Sequence, residues 1–296
     1  MSEETAIYIA RPSDVEALQN YWQDTISGKP HFVRLQSPFG GGRRAVVTAF
    51  LREVEKDSAD AIVWRINCLD QENGIQWLVR LYGSLVATLS SDILRRGKIE
   101  MMLNAQLPQQ PQRVQAWYQH FVATLKEAKL DKDKGQVKLQ LPSDNPFIGL
   151  TEIVTGIARK TPMIIEIQNP HAVNSLLLST FIEALREEAH EGGAKLLTII
   201  FDEPETELKS NLWPLPLLNL FERRGNIFDL QVIEPWGVSE TQAFLDSKGI
   251  NSNAERIAEI GSGRPGYIAE LVEILSEMEL LDTELNDVTL ASLAPL

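Results

Sequence analysis

The feature that most constrains this chain is an apolar stretch that runs into a glycine cluster and then into two arginines. Residues 32–44 read Phe-Val-Arg-Leu-Gln-Ser-Pro-Phe-Gly-Gly-Gly-Arg-Arg. The apolar residues at its start predict a buried strand, and the glycines predict a turn with backbone conformations that other residues avoid. An amphipathic helix is expected to begin near Ala45. A strand, a glycine turn and a helix in this order let backbone N–H groups converge on an anion.

This order is the setting of a P-loop, which has the pattern G-x-x-x-x-G-K-[ST] and cradles the phosphates of a nucleotide. Ser37 stands at the first glycine of that pattern. Arg43 replaces the lysine that reaches the terminal phosphates, and Arg44 replaces the hydroxyl that holds Mg²⁺. The sequence therefore predicts either a degenerate P-loop or a chance glycine turn. The candidate phosphate-binding residues are Ser37, Gly40, Gly41, Gly42, Arg43 and Arg44.

Apolar strands alternate with amphipathic helices along most of the chain, which predicts a parallel sheet covered by helices on both faces. The first helix is expected from about Asp14, with Ser13 and Glu16 as a capping box. After Pro235 the pattern changes to helices alone. Residues 130–144 are expected to form a surface insertion. Further strands are predicted at 61–67, 162–168, 195–201 and 228–233, and further helices at 75–96, 114–125, 147–159, 175–190, 215–223, 238–248, 254–260 and 265–277.

Composition excludes several classes of function. The 296 residues are enough for one α/β domain with a small lid, and the net charge of −13 argues against phosphate-driven nucleic-acid binding. The single cysteine, Cys68, excludes an internal disulfide and a cysteine-cluster metal site, and it fits a reducing, cytoplasmic compartment. The polar first residues do not form a signal peptide, and no apolar run approaches the roughly 18 residues of a membrane span.

Four further stretches of the sequence decide whether the glycine turn is a degenerate P-loop or a chance turn. They are Tyr-Ile-Ala-Arg-Pro-Ser-Asp-Val-Glu-Ala-Leu at 8–18, Met-Ile-Ile-Glu-Ile-Gln-Asn-Pro-His at 163–171, Asp-Leu-Gln-Val-Ile-Glu-Pro-Trp-Gly-Val-Ser-Glu at 229–240 and Gly-Ser-Gly-Arg-Pro-Gly-Tyr-Ile at 261–268. In order and spacing they resemble the AAA-type signal-transduction ATPases with numerous domains, the STAND branch. The resemblance implies an N-terminal segment and helix at 1–30, a P-loop α/β domain at 31–236 with strand order 5-1-4-3-2, and a helical lid at 237–296, with the family's later domains missing.

The same resemblance implies roles for residues outside the glycine turn. Gln168 stands where the family has the Mg²⁺-organising aspartate, and Asn169 where it has the acid that activates water; an amide does neither. Residues beside the adenine and in the lid would be Arg11, Arg264 and Pro265, and candidates for an arginine finger are Arg223 and Arg224. Each of these sites has a structural alternative: a capped surface helix at Arg11, a proline in a first helical turn at Pro265, and a pair of solvated charges at Arg223 and Arg224. No metal ligand is predicted.

We therefore expect a pseudo-ATPase module that acts by protein–protein interaction as a scaffold or regulator, rather than an enzyme. The expectation follows from four positions that have lost their chemistry together: Arg43, Arg44, Gln168 and Asn169. One alternative is a switch that binds ATP or ADP with little or no hydrolysis, because a guanidinium pairs well with phosphate. A second is an active ATPase with an atypical site. No cofactor is expected under the first reading; the partner is a protein, in a homo-oligomer or a larger assembly.

Overall fold

The strands of the chain form one parallel sheet. The computed structural model describes residues 11–68, 74–127, 146–172, 175–203, 228–250 and 253–278. Within these ranges the strands pair only in parallel, and their order across the sheet is β2-β3-β4-β1-β5. This confirms the predicted α/β class and the predicted strand order. The strands are His31–Gln36 (β1), Ile62–Asn67 (β2), Met163–Gln168 (β3), Leu196–Asp202 (β4) and Asp229–Val232 (β5).

Helices cover both faces of the sheet. Of the helices within the described ranges, the first two pack on one face and the next five on the other, and the last three follow β5. The helices are Pro12–Ile26 (α1), Arg43–Asp57 (α2), Gly74–Ser90 (α3), Ile93–Gln106 (α4), Gln112–Glu127 (α5), Pro146–Ala158 (α6), Ser175–Gly192 (α7), Val238–Ser247 (α8), Ala254–Ile260 (α9) and Pro265–Glu277 (α10).

Two adjacent inner strands, β3 and β4, explain why the sheet can be predicted from the sequence. Every residue of β4 is buried, and so are the first five residues of β3. Strands covered on both faces need nearly continuous apolar runs, and 163–167 and 196–201 are apolar apart from Glu166 and Thr198. On the face of α3 to α7, Trp77 and Trp64 both meet the Phe181 ring edge-on, with centroids 5.8 and 6.4 Å away.

Two predicted helix boundaries are wrong. The single helix expected at 75–96 is two helices, α3 and α4, because the Asp92 carboxylate caps α4 by accepting from the backbone N–H groups of Leu94 at 2.8 Å and Arg95 at 3.1 Å. The capping box at Ser13 is also wrong. Helix α1 begins two residues earlier than expected, at Pro12, and its N-cap, Arg11, makes no side-chain cap hydrogen bond.

The last three helices form a small core of their own, as expected for the segment after Pro235. This core packs Phe244, Leu245, Ile257 and Ile268 together, and it includes Ala45 from the first turn of α2. The lid helices therefore sit against the helix that follows the glycine turn. The predicted insertion at 130–144 and helix at 215–223 lie outside the described residues. Among the helices described, none combines the length and the apolar character needed to cross a membrane.

Candidate functional site

The glycine turn joins β1 to α2 with two residues in the left-handed region. Gly40 has φ 78°, and Gly42, the N-cap of α2, has φ 94°. Ser37 is not in that region, since the non-glycine residues with positive φ in the described chain are Asn169 and Ser262. The Ser37 backbone N–H donates to the Asp202 carbonyl at 3.2 Å. The serine at the first glycine position is therefore accommodated without backbone strain.

A cavity of about 430 Å³ opens beside this turn. It lies at the carboxyl edge of the parallel strands, where open α/β sheets bind ligands. Three parts of the predicted site border it: the glycine turn, the end of β3 and the start of α10. The residues that line it are Phe39, Gly40, Gly41, Gly42, Arg43, Arg44, Ala45, Asn169, Phe201 and Gly266.

Arg43 is bound within the protein at the end of β4. Its Nη1 donates to the Asp202 main-chain carbonyl, and its Nη2 donates to Glu203 Oε1 at 2.9 Å. The guanidinium carbon lies 5.8 Å from the centre of the Phe201 ring. Three consecutive residues of the chain therefore surround the side chain that replaces the P-loop lysine.

Two acidic residues at the end of β4 were not predicted as part of the site: Asp202, the last residue of the strand, and Glu203, which follows it. Asp202 is 1% exposed, and its Oδ2 accepts from Arg34 Nη2 at 2.6 Å and Gln36 Nε2 at 3.1 Å. Burial raises the pKa of the Asp202 carboxyl, and the Arg34 charge opposes that rise. The signal was readable, because an apolar run that ends in Asp-Glu places carboxylates at the ligand-binding edge of a sheet.

Gln168 and Asn169 are both held by neighbouring side chains. Gln168 accepts from Arg44 Nη2 at 3.3 Å and donates to the buried Glu166 carboxylate, which also accepts from Arg65 at 3.1 Å. Asn169 lines the cavity with φ 50° and donates to Asn67 Oδ1 at 2.8 Å. The structure thus brings the predicted end of β3 next to the glycine turn.

The lid reaches the glycine turn through the start of α10. The Gly266 backbone N–H donates to the Gly40 carbonyl at 2.8 Å, so close that a Cβ on Gly266 would lie 3.0 Å from the same oxygen. Arg264 donates to the Phe39 carbonyl at 3.4 Å and stacks over Tyr267. Pro265 begins α10. Gly266 was not predicted, although the glycine after Pro265 is the residue that permits this approach.

Among the other predicted positions, Arg11 does not line the cavity. Arg11 joins α1 to the lid segment, since its Nη2 donates to the Pro235 carbonyl at 2.6 Å and pairs with Glu240 at 3.0 Å. Hydrogen bonds to the Glu240 carboxylate, first that of its own backbone N–H and then that of Ser239, lower its pKa. The predicted arginine finger, Arg223 and Arg224, lies outside the described residues. Within the described ranges, no group of three acidic, histidine or cysteine side chains is placed to hold a metal ion.

The arrangement favours anion contact over proton transfer. Helix α2 points its N-terminus at the cavity, and two guanidinium groups line it. Arg44 donates to a neutral amide, so that contact leaves its charge uncompensated. The two amides at the end of β3 cannot act as bases near neutral pH. Of the two carboxylates at the end of β4, that of Asp202 binds Arg34 and that of Glu203 binds Arg43.

The fold and this cavity define the class of protein: an α/β protein with a parallel sheet and a glycine turn at the carboxyl edge of its strands. The sequence matches no model of a known protein family, and no curated protein matches it significantly.

Proposed function

We propose that this chain is a pseudo-ATPase module of the STAND AAA type, cytoplasmic, which acts as a scaffold or regulator by binding other proteins. The observation that carries the proposal is the binding of Arg43 by Glu203 and by the Asp202 carbonyl. In a working P-loop the equivalent lysine is available to the terminal phosphates. Here the equivalent side chain is engaged by the protein, and the positions for Mg²⁺ and for a base hold Arg44, Gln168 and Asn169.

Exposed apolar side chains on α4 support a role in binding other proteins. One helix, α4, exposes three large apolar side chains: Ile93 at 68%, Leu94 at 78% and Met101 at 74%. Large apolar side chains that gather on a surface are typical of regions that contact other proteins. The partner is to be identified by co-purification of the full chain from its host, with size-exclusion chromatography to separate self-association from a larger assembly.

Thermal melting with and without ATP and Mg²⁺ tests the absence of nucleotide binding. A ligand that binds only the folded state stabilises it by about 2.7 kcal/mol at one hundred times its Kd. We expect an unchanged melting temperature with ATP or ADP at millimolar concentration, and no release of phosphate from ATP. The controls are an established P-loop ATPase, which must shift, and adenosine, which carries no phosphate.

One observation favours the alternative of an ATP- or ADP-binding switch. The cavity keeps about 430 Å³ of space between the glycine turn and the lid, and the Arg44 charge faces it. Two arginines would partly replace the charge of a missing Mg²⁺. A melting temperature that rises with ADP and with ATP, without phosphate release, would favour this switch. Phosphate release that depends on Mg²⁺ would instead favour an active ATPase that uses the carboxylates of β4.

A further inference from the structure

The Glu203 carboxylate, just after β4, binds Arg43, the side chain that a phosphate in the glycine turn would need. Arg43 Nη2 lies 2.9 Å from Glu203 Oε1, and the two side chains are only 11% and 16% exposed. Its other terminal nitrogen binds the Asp202 carbonyl. Solvent therefore screens this pair less than an ion pair on the surface.

A carboxylate and a phosphate compete for the same donors. A guanidinium binds the oxygens of either anion through its planar N–H groups. Arg43 is the first residue of α2 and lines the cavity beside the glycine turn. A phosphate in that cavity would have to displace Glu203 from Arg43 and would then face the released carboxylate at close range. Like charges at that distance repel each other.

We infer that the Glu203 carboxylate is the resident anion of this site, and that it closes the cavity to phosphate-bearing ligands. The inference rests on the proposed function, because it names what keeps nucleotide from a turn that retains its glycines. Displacement of Glu203, by a bound protein or by substitution, opens an anion site that needs no Mg²⁺. Anions are then bound by Arg43, Arg44 and the N-terminus of α2.

A contrasting role for Glu203 makes the opposite prediction. If Glu203 were a ligand for Mg²⁺ carried by a nucleotide, its charge would assist binding, and its loss would weaken binding in the presence of the metal. The sign of the effect of removing one charge therefore separates the two roles.

The test is isothermal titration of Glu203→Gln with inorganic pyrophosphate and with ADP, each in EDTA and in MgCl₂. Glutamine keeps the size of the side chain and an oxygen that accepts from Arg43, but removes the charge. The matched control is Glu53→Gln, which changes the net charge equally on α2, where Glu53 pairs with Lys56 at 2.7 Å on the exposed surface. Thermal melts establish that each variant is folded, and Glu203→Ala replaces the glutamine variant if that one unfolds.

We expect Glu203→Gln to bind pyrophosphate in EDTA at least about tenfold more tightly than the wild type, the effect of one charged hydrogen bond. Glu53→Gln should bind like the wild type, and the gain should disappear when Arg43→Gln is combined with Glu203→Gln. A folded Glu203→Gln that binds no better than the wild type overturns the inference, as does a loss of binding confined to MgCl₂. A melting temperature of the wild type that rises with ATP and Mg²⁺ contradicts both the proposed function and the closure of the cavity, whereas failure of Glu203→Gln alone overturns only the inference.

Discussion

Three residues around the cavity have backbone conformations that depend on residue identity. Gly40, Gly42 and Asn169 have φ of 78°, 94° and 50°. Glycine adopts this left-handed region freely, and asparagine tolerates it better than most residues. Gly40 has a second constraint, because a Cβ there would lie 3.1 Å from the ring carbons of Tyr267. The backbone at these three positions thus depends on the residue type, since most other residues would be strained there.

Gly40→Ala should destabilise the protein by about 1–2 kcal/mol from the left-handed backbone alone, with a further loss from the contact with Tyr267. Urea denaturation gives the free energy of unfolding. Gly249→Ala is the matched control, since Gly249 has φ 68° and open space where its Cβ would be. If the two variants lose equal stability, the close contact of the lid with the turn contributes nothing.

A pair of carboxyl groups between α6 and α7 predicts a dependence of stability on pH. Burial, followed by the nearby Glu188 charge, raises the pKa of Glu152, while Arg159 and Arg113 oppose that rise. The folded protein therefore holds this proton to a higher pH than the unfolded chain, whose value is about 4.3. Stability is lost as pH rises from the unfolded pKa through the folded pKa.

Glu152→Gln removes that titration, so its melting temperature should exceed that of the wild type at pH 7.5 and equal it at pH 4. Calorimetric melts at the two pH values are the measurement, with Glu53→Gln as the exposed control. An equal increase at both pH values would show that the effect comes from packing and not from ionisation.

At the scale of elements, the buried strands could be predicted from the sequence, whereas the boundary between α3 and α4 could not be predicted from the spacing of apolar residues. Strands β3 and β4 are apolar along nearly their whole length because helices cover both of their faces. The break between α3 and α4 was hidden because helical spacing of apolar residues continues across it. The Asp92 carboxylate sets the boundary there, because it caps the first turn of α4. Ser-Asp before a helix is a cap signal, but a prediction from apolar periodicity alone overlooks it.

The same limit applies to the candidate site. The glycine turn, Asn169 and the start of α10 meet around one cavity. The partners of Arg43 could not be predicted from β3, because they come from β4, which lies between β1 and β3 in the sheet. Where a long side chain ends depends on which strand is adjacent, and that is a property of the whole sheet.

Helix α4 carries a glycine that packing does not require. A Cβ on Gly97 would meet no atom within 4 Å. Gly97→Ala should therefore stabilise the protein by about 0.5–1 kcal/mol, since alanine loses less backbone entropy in a helix. Denaturation by urea tests this. Gly156→Ala on α6 should do the opposite, because its Cβ would lie 2.2 Å from the Tyr118 hydroxyl; destabilisation in both variants would contradict the argument.

For the whole molecule, the lid and the sheet share contacts at the glycine turn. Ala45 of α2 belongs to the apolar core of the lid helices, and Arg11 of the first segment binds both Pro235 and Glu240. The Gly266 N–H to Gly40 carbonyl bond adds a direct backbone contact. A change in the turn should therefore alter the packing of the last three helices, so the effect of substitutions in the turn depends on the assembled molecule.

If the turn is a degenerate P-loop, combining Arg43→Lys, Arg44→Thr, Gln168→Asp and Asn169→Glu should give it the side chains of a working site. Gly40 and Gly42 already adopt left-handed conformations, and the Gly41 N–H, which donates to the Pro38 carbonyl at 2.9 Å, would have to leave that partner to reach a phosphate. Two of the changes carry a cost. Glutamate at position 169 would have to adopt φ 50°, and aspartate at position 168 would lose the amide that donates to the Glu166 carboxylate.

We expect the quadruple variant to bind ATP with Mg²⁺ before it shows turnover, because turnover also requires lid closure and an adjacent arginine. Isothermal titration measures the binding, and phosphate release measures the turnover. The control is Arg43→Lys with Arg44→Thr alone, which lacks the new carboxylates and should bind ATP more weakly in MgCl₂ than the quadruple variant does. A folded quadruple variant that binds no nucleotide at millimolar concentration would mean that the turn is not the relic of a P-loop, because the backbone and the four side chains would then be present without their ligand.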